Sequence, residues 1–116
     1  MAIIGTVNDY GNRQWYAGID GVNDNDVIIQ TEDISKFDLF HVSCAAGVFD
    51  VQVHDGLQWL TNAHALVDLN ATALDPVNQG AALTPYGFSG NWHKIRVLQK
   101  GATACTGSML RCFRTP

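Results

Sequence analysis

From Val27 onward the apolar positions come in short runs broken by turn-forming residues. Val27-Ile28-Ile29-Gln30-Thr31 is a β-branched run, and residues 37–44 (Phe-Asp-Leu-Phe-His-Val-Ser-Cys) are long enough for a central strand with both faces partly covered. After Gly47 the alternation is clean. Phe49, Val51 and Val53 point one way while Val48, Asp50, Gln52 and His54 point the other, as in a strand with one buried and one wetter face. His54-Asp55-Gly56 closes that strand. The Asp-Gly pair followed by Leu57-Gln58-Trp59-Leu60 is the strongest hairpin signal in the chain, because a tight β-turn needs the positive φ that glycine supplies. The same reading places strands at 65–70, 81–83, 86–89, 93–99 and 108–114. Asp75-Pro76, Thr84-Pro85, Gly87, Ser89-Gly90-Asn91 and Lys100-Gly101 interrupt any helix there and turn the chain back.

Seven or eight such strands in about 90 residues predict an all-β, two-sheet β-sandwich over residues 27–116, jelly-roll-like in the way it protects its edges. Periodicity does not encode strand order, so an immunoglobulin-like Greek key stands beside the jelly roll. Residues 1–26 are punctuated by Gly5, Gly11, Gly18, Gly21 and the run Asn23-Asp24-Asn25-Asp26, and read as an extended N-terminal arm. The arm carries Tyr10, Trp15 and Tyr16, three aromatics with little reason to stand in water. They close one end of the sandwich or anchor to another chain.

Composition supports the β reading. Of 116 residues 47% are apolar, enough for one core, and the single Glu and three Lys leave too few residues to clothe helix faces. No eighteen-residue apolar run exists, and the Met1-Ala-Ile-Ile-Gly5 start lacks the charged flank and apolar stretch of a secretory leader, so a soluble, untargeted protein is expected. Cys44, Cys105 and Cys112, odd in number and without C-x-x-C spacing, read as buried free thiols. Charge is distributed unevenly. All eleven acids lie in residues 1–75 with only Arg13 and Lys36, whereas residues 76–116 hold Lys94, Arg96, Lys100, Arg111 and Arg114 and no acid. Either the two halves balance across one sheet, or the basic strip meets an acidic surface between subunits or on a partner. Five bases with few aromatics among them are a poor nucleic-acid footprint in an acidic protein.

Candidate chemistry is sparse. His41, His54, His64 and His93 share no strand or helix spacing that would make a metal pair. The segment from Asp20 to Asp26 is rich in hard oxygens but lacks the calcium-loop order and its closing Glu, and reads as an Asx-rich turn. Ser43, Ser89 and Ser108 have no Gly-x-Ser-x-Gly elbow, and Gly87-Phe88-Ser89-Gly90 has no phosphate-loop ending. No catalytic residue, cofactor or metal is expected.

Two stretches carry a resemblance. Phe49-Asp50-Val51-Gln52-Val53-His54-Asp55-Gly56-Leu57-Gln58-Trp59 and the segment from Tyr86-Gly87-Phe88-Ser89-Gly90 through Ile95-Arg96-Val97 to Gly101 resemble small β-sandwich structural proteins of tailed bacteriophages. The likeness spans about residues 37–114 and includes capsid decoration (cement) proteins, head-fibre modules and tail appendages. It implies a non-enzymatic virion protein on the capsid surface, made in the host cytoplasm. It further implies an oligomer, commonly a trimer, that binds the major capsid protein and touches neither nucleic acid nor membrane. Tyr10, Trp15, Tyr16, Arg111 and Arg114 are the expected partner-binding residues. A carbohydrate-binding sandwich is the alternative, with Trp15, Trp59 and Trp92 as sugar-stacking rings. Against it stand plainer roles for Trp59 as a core anchor and for Trp92 in turn packing.

Overall fold

The computed structural model describes residues 3–61, 67–68 and 79–115. Eleven strands lie among them: β1 (Thr6–Asp9), β2 (Arg13–Ala17), β3 (Val27–Gln30), β4 (Leu39–Ser43), β5 (Val48–His54), β6 (Trp59–Thr61), β7 (Val67–Asp68), β8 (Gln79–Gly80), β9 (Tyr86–Ser89), β10 (Lys94–Lys100) and β11 (Met109–Phe113). They form two antiparallel sheets. The larger has the order β1-β2-β11-β4-β9-β7; the smaller has β3-β10-β5-β6, with β8 also pairing β5. Period-two burial decides what each strand contributes: β4 and β11 bury alternate residues, and β5 buries Phe49, Val51 and Val53 as the alternation predicts. One cluster joins inward side chains of both sheets, among them Tyr16, Phe40, Val42 and Leu110 from the larger and Ile28, Phe49, Val51 and Ile95 from the smaller. The protein is a β-sandwich.

The pairing is nested. β2 pairs β11, β3 pairs β10, β4 pairs β9 and β5 pairs β6, so the first half of the chain lies antiparallel to the second, strand by strand. The closing unit is the Asp-Gly hairpin. Asp55 Oδ1 accepts the N–H groups of Leu57 and Gln58 at 2.8 and 2.9 Å, and Gly56 takes φ +97°, giving a four-residue loop between His54 and Trp59.

Two expectations differ, and a third is described only in part. No strand covers 81–83: β8 precedes it, and the chain turns with Leu83 at φ +61°, its N–H on Cys44 O at 2.8 Å. Of 65–70, the structure gives strand at Val67–Asp68; the rest, with His64 and Asp75-Pro76, lies outside the described residues. Residues 6–17 are not a free arm. They make a hairpin whose second strand hydrogen-bonds β11 along its whole length and sends Tyr16 into the core. The glycines that suggested an arm mark the hairpin's ends: Gly11, at φ +80°, sits in its turn, and Gly5, at φ +100°, lies so close to Ala17 that a Cβ there would stand 2.5 Å from the Ala17 carbonyl.

Candidate interaction surface

Strand β2 turns Gln14 and Tyr16 inward and presents Arg13, Trp15 and Ala17 outward. Strand register then sets three outward rows: Trp15, Arg111 and His41; Arg13, Phe113 and Leu39; Ala17, Met109 and Ser43. Trp15 lies between two guanidiniums, with Arg13 Cζ 5.6 Å and Arg111 Cζ 5.5 Å from its ring centroid. Tyr10 meets the same indole edge-on at 5.7 Å and carries Arg13 over its own ring at 5.5 Å. His41 packs on Phe113 at 5.0 Å. Each exposed cation–π contact contributes about 0.5–1 kcal/mol, so the cluster is ordered without being locked. Trp15 Nε1 and Arg111 Nε are shielded from solvent and have no hydrogen-bond partner among the described residues. Burial, with Arg111 beside it, holds the His41 imidazole below its ordinary pKa.

Cross-strand ion pairs among the described residues do not balance the charge asymmetry. Among the described residues the one ion pair is His93 Nδ1 with Asp33 Oδ1 at 3.6 Å. The acids hold backbone instead: Asp9 accepts the Gly11 N–H, Asp24 the Gly101 N–H, Asp26 those of Val22 and Asn23, and Asp38 binds Thr115 through its hydroxyl and N–H. Arg13, Arg96 and Arg111 sit on aromatic faces. Arg96, on the opposite sheet, lies 4.2 Å from the Trp59 centroid with its Nε donating to Gln52 Oε1 at 2.6 Å.

At one end of the Trp15 face is an open cavity of about 380 Å³ lined by Tyr10, Asn12, Arg13, Phe113 and Arg114. It forms because Asp9 ties down the β1–β2 turn and the Arg114 N–H donates to Asn12 O at 3.1 Å, holding chain end and turn together. Four of the five residues expected at a partner site, Tyr10, Trp15, Arg111 and Arg114, thus gather on this face and its end. Tyr16 does not. It is 0% exposed, its hydroxyl donates to Gln14 Oε1 at 3.2 Å, and burial pushes its phenol pKa up. Arg13, Phe113 and His41 belong to the surface and were missed. Arg13 could have been found, since it shares Trp15's parity on the strand; His41 and Phe113 arrive only through pairing.

The remaining candidates stay apart. The His54 and His93 rings lie 5.7 Å apart and tilted by 46° where the smaller sheet's β5 ends and β10 is about to begin, with His54 Nδ1 accepting the Gly56 N–H at 3.0 Å, while His41 lies on the other sheet. No three metal-ligating side chains gather among the described residues. The oxygens of Asp24, Asn25 and Asp26 bind Gly101 N, Lys100 Nζ and local N–H groups rather than converging on a common point. Burial raises all three thiols, Cys44 to about 11 and Cys112 to about 12. Trp15 and Trp59 lie on opposite sheets, and Trp92 packs partly buried against the core, so the three tryptophans form no common platform. Among the described residues no helix is long and apolar enough to cross a membrane. Comparison with known protein families, curated proteins and solved structures finds no match to this chain.

Proposed function

We propose that this chain is a non-enzymatic virion structural protein, a capsid decoration protein that binds the phage head as an oligomer through the outer face of its larger sheet. The observation that carries the reading is the Arg13–Trp15–Arg111 stack with Tyr10, His41 and Phe113 around it. Tryptophan, tyrosine and arginine are the side chains that concentrate binding energy at protein interfaces, and here they sit on a rigid sheet rather than a loop. The face bears no acid among its described outward residues, which suits an acidic or carbonyl-rich partner surface such as the major capsid protein would offer. The two-sheet sandwich and its nested strand pairs suit a jelly-roll-like winding, an architecture frequent in capsid proteins. The likeness of residues 37–114 to phage sandwiches supplies the setting. A decoration protein works mechanically: each bound copy bridges shell subunits, and many modest contacts add up across the shell. A glycan-binding reading has no shared tryptophan platform to rest on.

The test is binding of purified protein to shells lacking it, measured by co-sedimentation. Trp15→Ala and Arg111→Ala should each weaken occupancy by about tenfold or more while leaving the far-ultraviolet circular dichroism unchanged. Wild-type occupancy by both variants, or no binding by the native chain, overturns the proposal.

A further inference from the structure

We infer that the cavity lined by Tyr10, Asn12, Arg13, Phe113 and Arg114 receives the 19–22 loop of a second copy of this chain, so that copies associate head to tail. This contact is between copies; the cavity shares Tyr10, Arg13 and Phe113 with the Trp15 face, and the contact is tested apart from that face through Asp20 and Arg114.

The cavity offers two guanidiniums, an amide and two aromatic rings. Arg13 and Arg114 have no carboxylate within ion-pair distance among the described residues. Tyr10, at its rim, is 56% exposed. Such a lining fits a carboxylate flanked by apolar side chains, since guanidiniums hold the charge and rings cover the rest.

The 19–22 loop has that chemistry. Ile19 is 51% exposed and Val22 70% exposed, and between them Asp20 is exposed with no hydrogen bond or ion pair among the described residues. Most other acids around it are already committed to backbone N–H groups. Asp24 and Asp26 hold the turn, which leaves Asp20 available. The loop is also rigid. Ile19 N–H donates to Ile28 O at 3.0 Å, Gly21 N–H to Cys105 O at 2.9 Å, and buried Gly21 lies so close to Gln99 that a Cβ would stand 2.1 Å from Oε1. A preformed loop loses little entropy on docking.

Position makes the contact intermolecular. Arg13 opens β2 and Ala17 ends it, about 13 Å further along, with the 19–22 loop beyond that end. Cavity and loop therefore face opposite ends of the same strand, and a chain cannot fill its own cavity. A contact that joins unlike patches propagates into a ring or a filament.

Sedimentation velocity and light scattering of the full chain across concentration and salt test the contact. Wild type should associate, less so at high salt. Asp20→Lys and Arg114→Glu, with unchanged circular dichroism, should each weaken association by about tenfold or more. An equimolar mixture of the two variants should regain association, because Asp20→Lys keeps the cavity, Arg114→Glu keeps the loop, and the two reversed charges are themselves opposite in sign. A wild-type monomer at millimolar concentration, variants that associate like wild type, or a mixture that stays monomeric each overturns the proposal. Shell binding lost in Trp15→Ala while this association persists would separate the two contacts.

Discussion

Trp15 and Tyr16 are chain neighbours on β2 but lie on opposite sides of the larger sheet. Trp15 lies between Arg13 and Arg111 outside, and Tyr16 lies fully buried with its hydroxyl on Gln14. The two residues therefore separate binding from folding. Tyr16→Ala empties a core position and should cost about 3–5 kcal/mol; Tyr16→Phe loses one neutral hydrogen bond, about 1 kcal/mol. Trp15→Ala should cost only about 1–2 kcal/mol, the sum of its cation–π contacts. Urea denaturation curves with a common slope check the order. Equal losses for Trp15→Ala and Tyr16→Ala would mean that the outer face is part of the core.

Gly21 and Gln99 form a second such pair. Gln99 is buried, accepts the Cys105 N–H at 3.0 Å and donates to Gly101 O at 2.9 Å, so its amide closes the 101–105 loop. An alanine at Gly21 would drive its Cβ into that amide. Gly21→Ala should cost about 1–3 kcal/mol, the usual range for overpacking, while Val22→Ala at the exposed neighbour should stay within about 0.5 kcal/mol. Thermal denaturation of the two variants side by side gives the comparison.

Much of this architecture was legible because burial on a strand has a period of two. The run from Val48 to His54 states its inward face directly, and Asp55-Gly56 states its turn. The amino-terminal hairpin was hidden for a physical reason. β1 is an edge strand with all four residues exposed, so Thr6–Asp9 shows no alternation to read, and the glycines beside it resemble those of a loop. Site residues follow the same division. Arg13 and Trp15 share a face by parity, which sequence can supply, but Arg111 and His41 reach Trp15's row only through the β2–β11–β4 register. The charge asymmetry was visible and its use was not, because Asx carboxylates bound to turns leave the same composition as carboxylates paired with bases.

The thiols should be inert in the native state. Cys44, Cys105 and Cys112 are buried, and Cys44 and Cys105 donate to Gly47 O and Val48 O at 3.6 and 3.1 Å. With burial raising each thiol pKa, little thiolate forms at pH 8. An aromatic disulfide reagent should titrate three thiols per chain in denaturant and react with native protein only at the rate of unfolding. Fast native labelling at Cys44 would show that the loop above it opens locally.

Stability should fall in two stages as the solution is acidified. His41 has a pKa below 6.5 in the folded protein because of burial and the nearby Arg111, so the unfolded chain takes up that proton first. Its contribution is complete above 6.5 and is lost as pH falls through the folded value. The carboxylates act lower. Asp9, Asp26, Asp33, Asp38 and Asp55 are held below 3.8 by hydrogen bonds, mostly from turn N–H groups and for Asp38 chiefly from the Thr115 hydroxyl. Their contribution is present above 3.8 and lost below it. Asp50 opposes both, since burial raises its pKa and its charge at neutral pH works against the fold. Asp50→Asn should therefore raise the denaturation midpoint at pH 7, with the gain shrinking as pH approaches 4. His41→Gln should remove the first stage and leave the second. Urea midpoints at pH 7, 5.5, 4 and 3 for wild type and both variants test this; a loss between pH 6.5 and 5 that survives in His41→Gln would assign the first stage to another group.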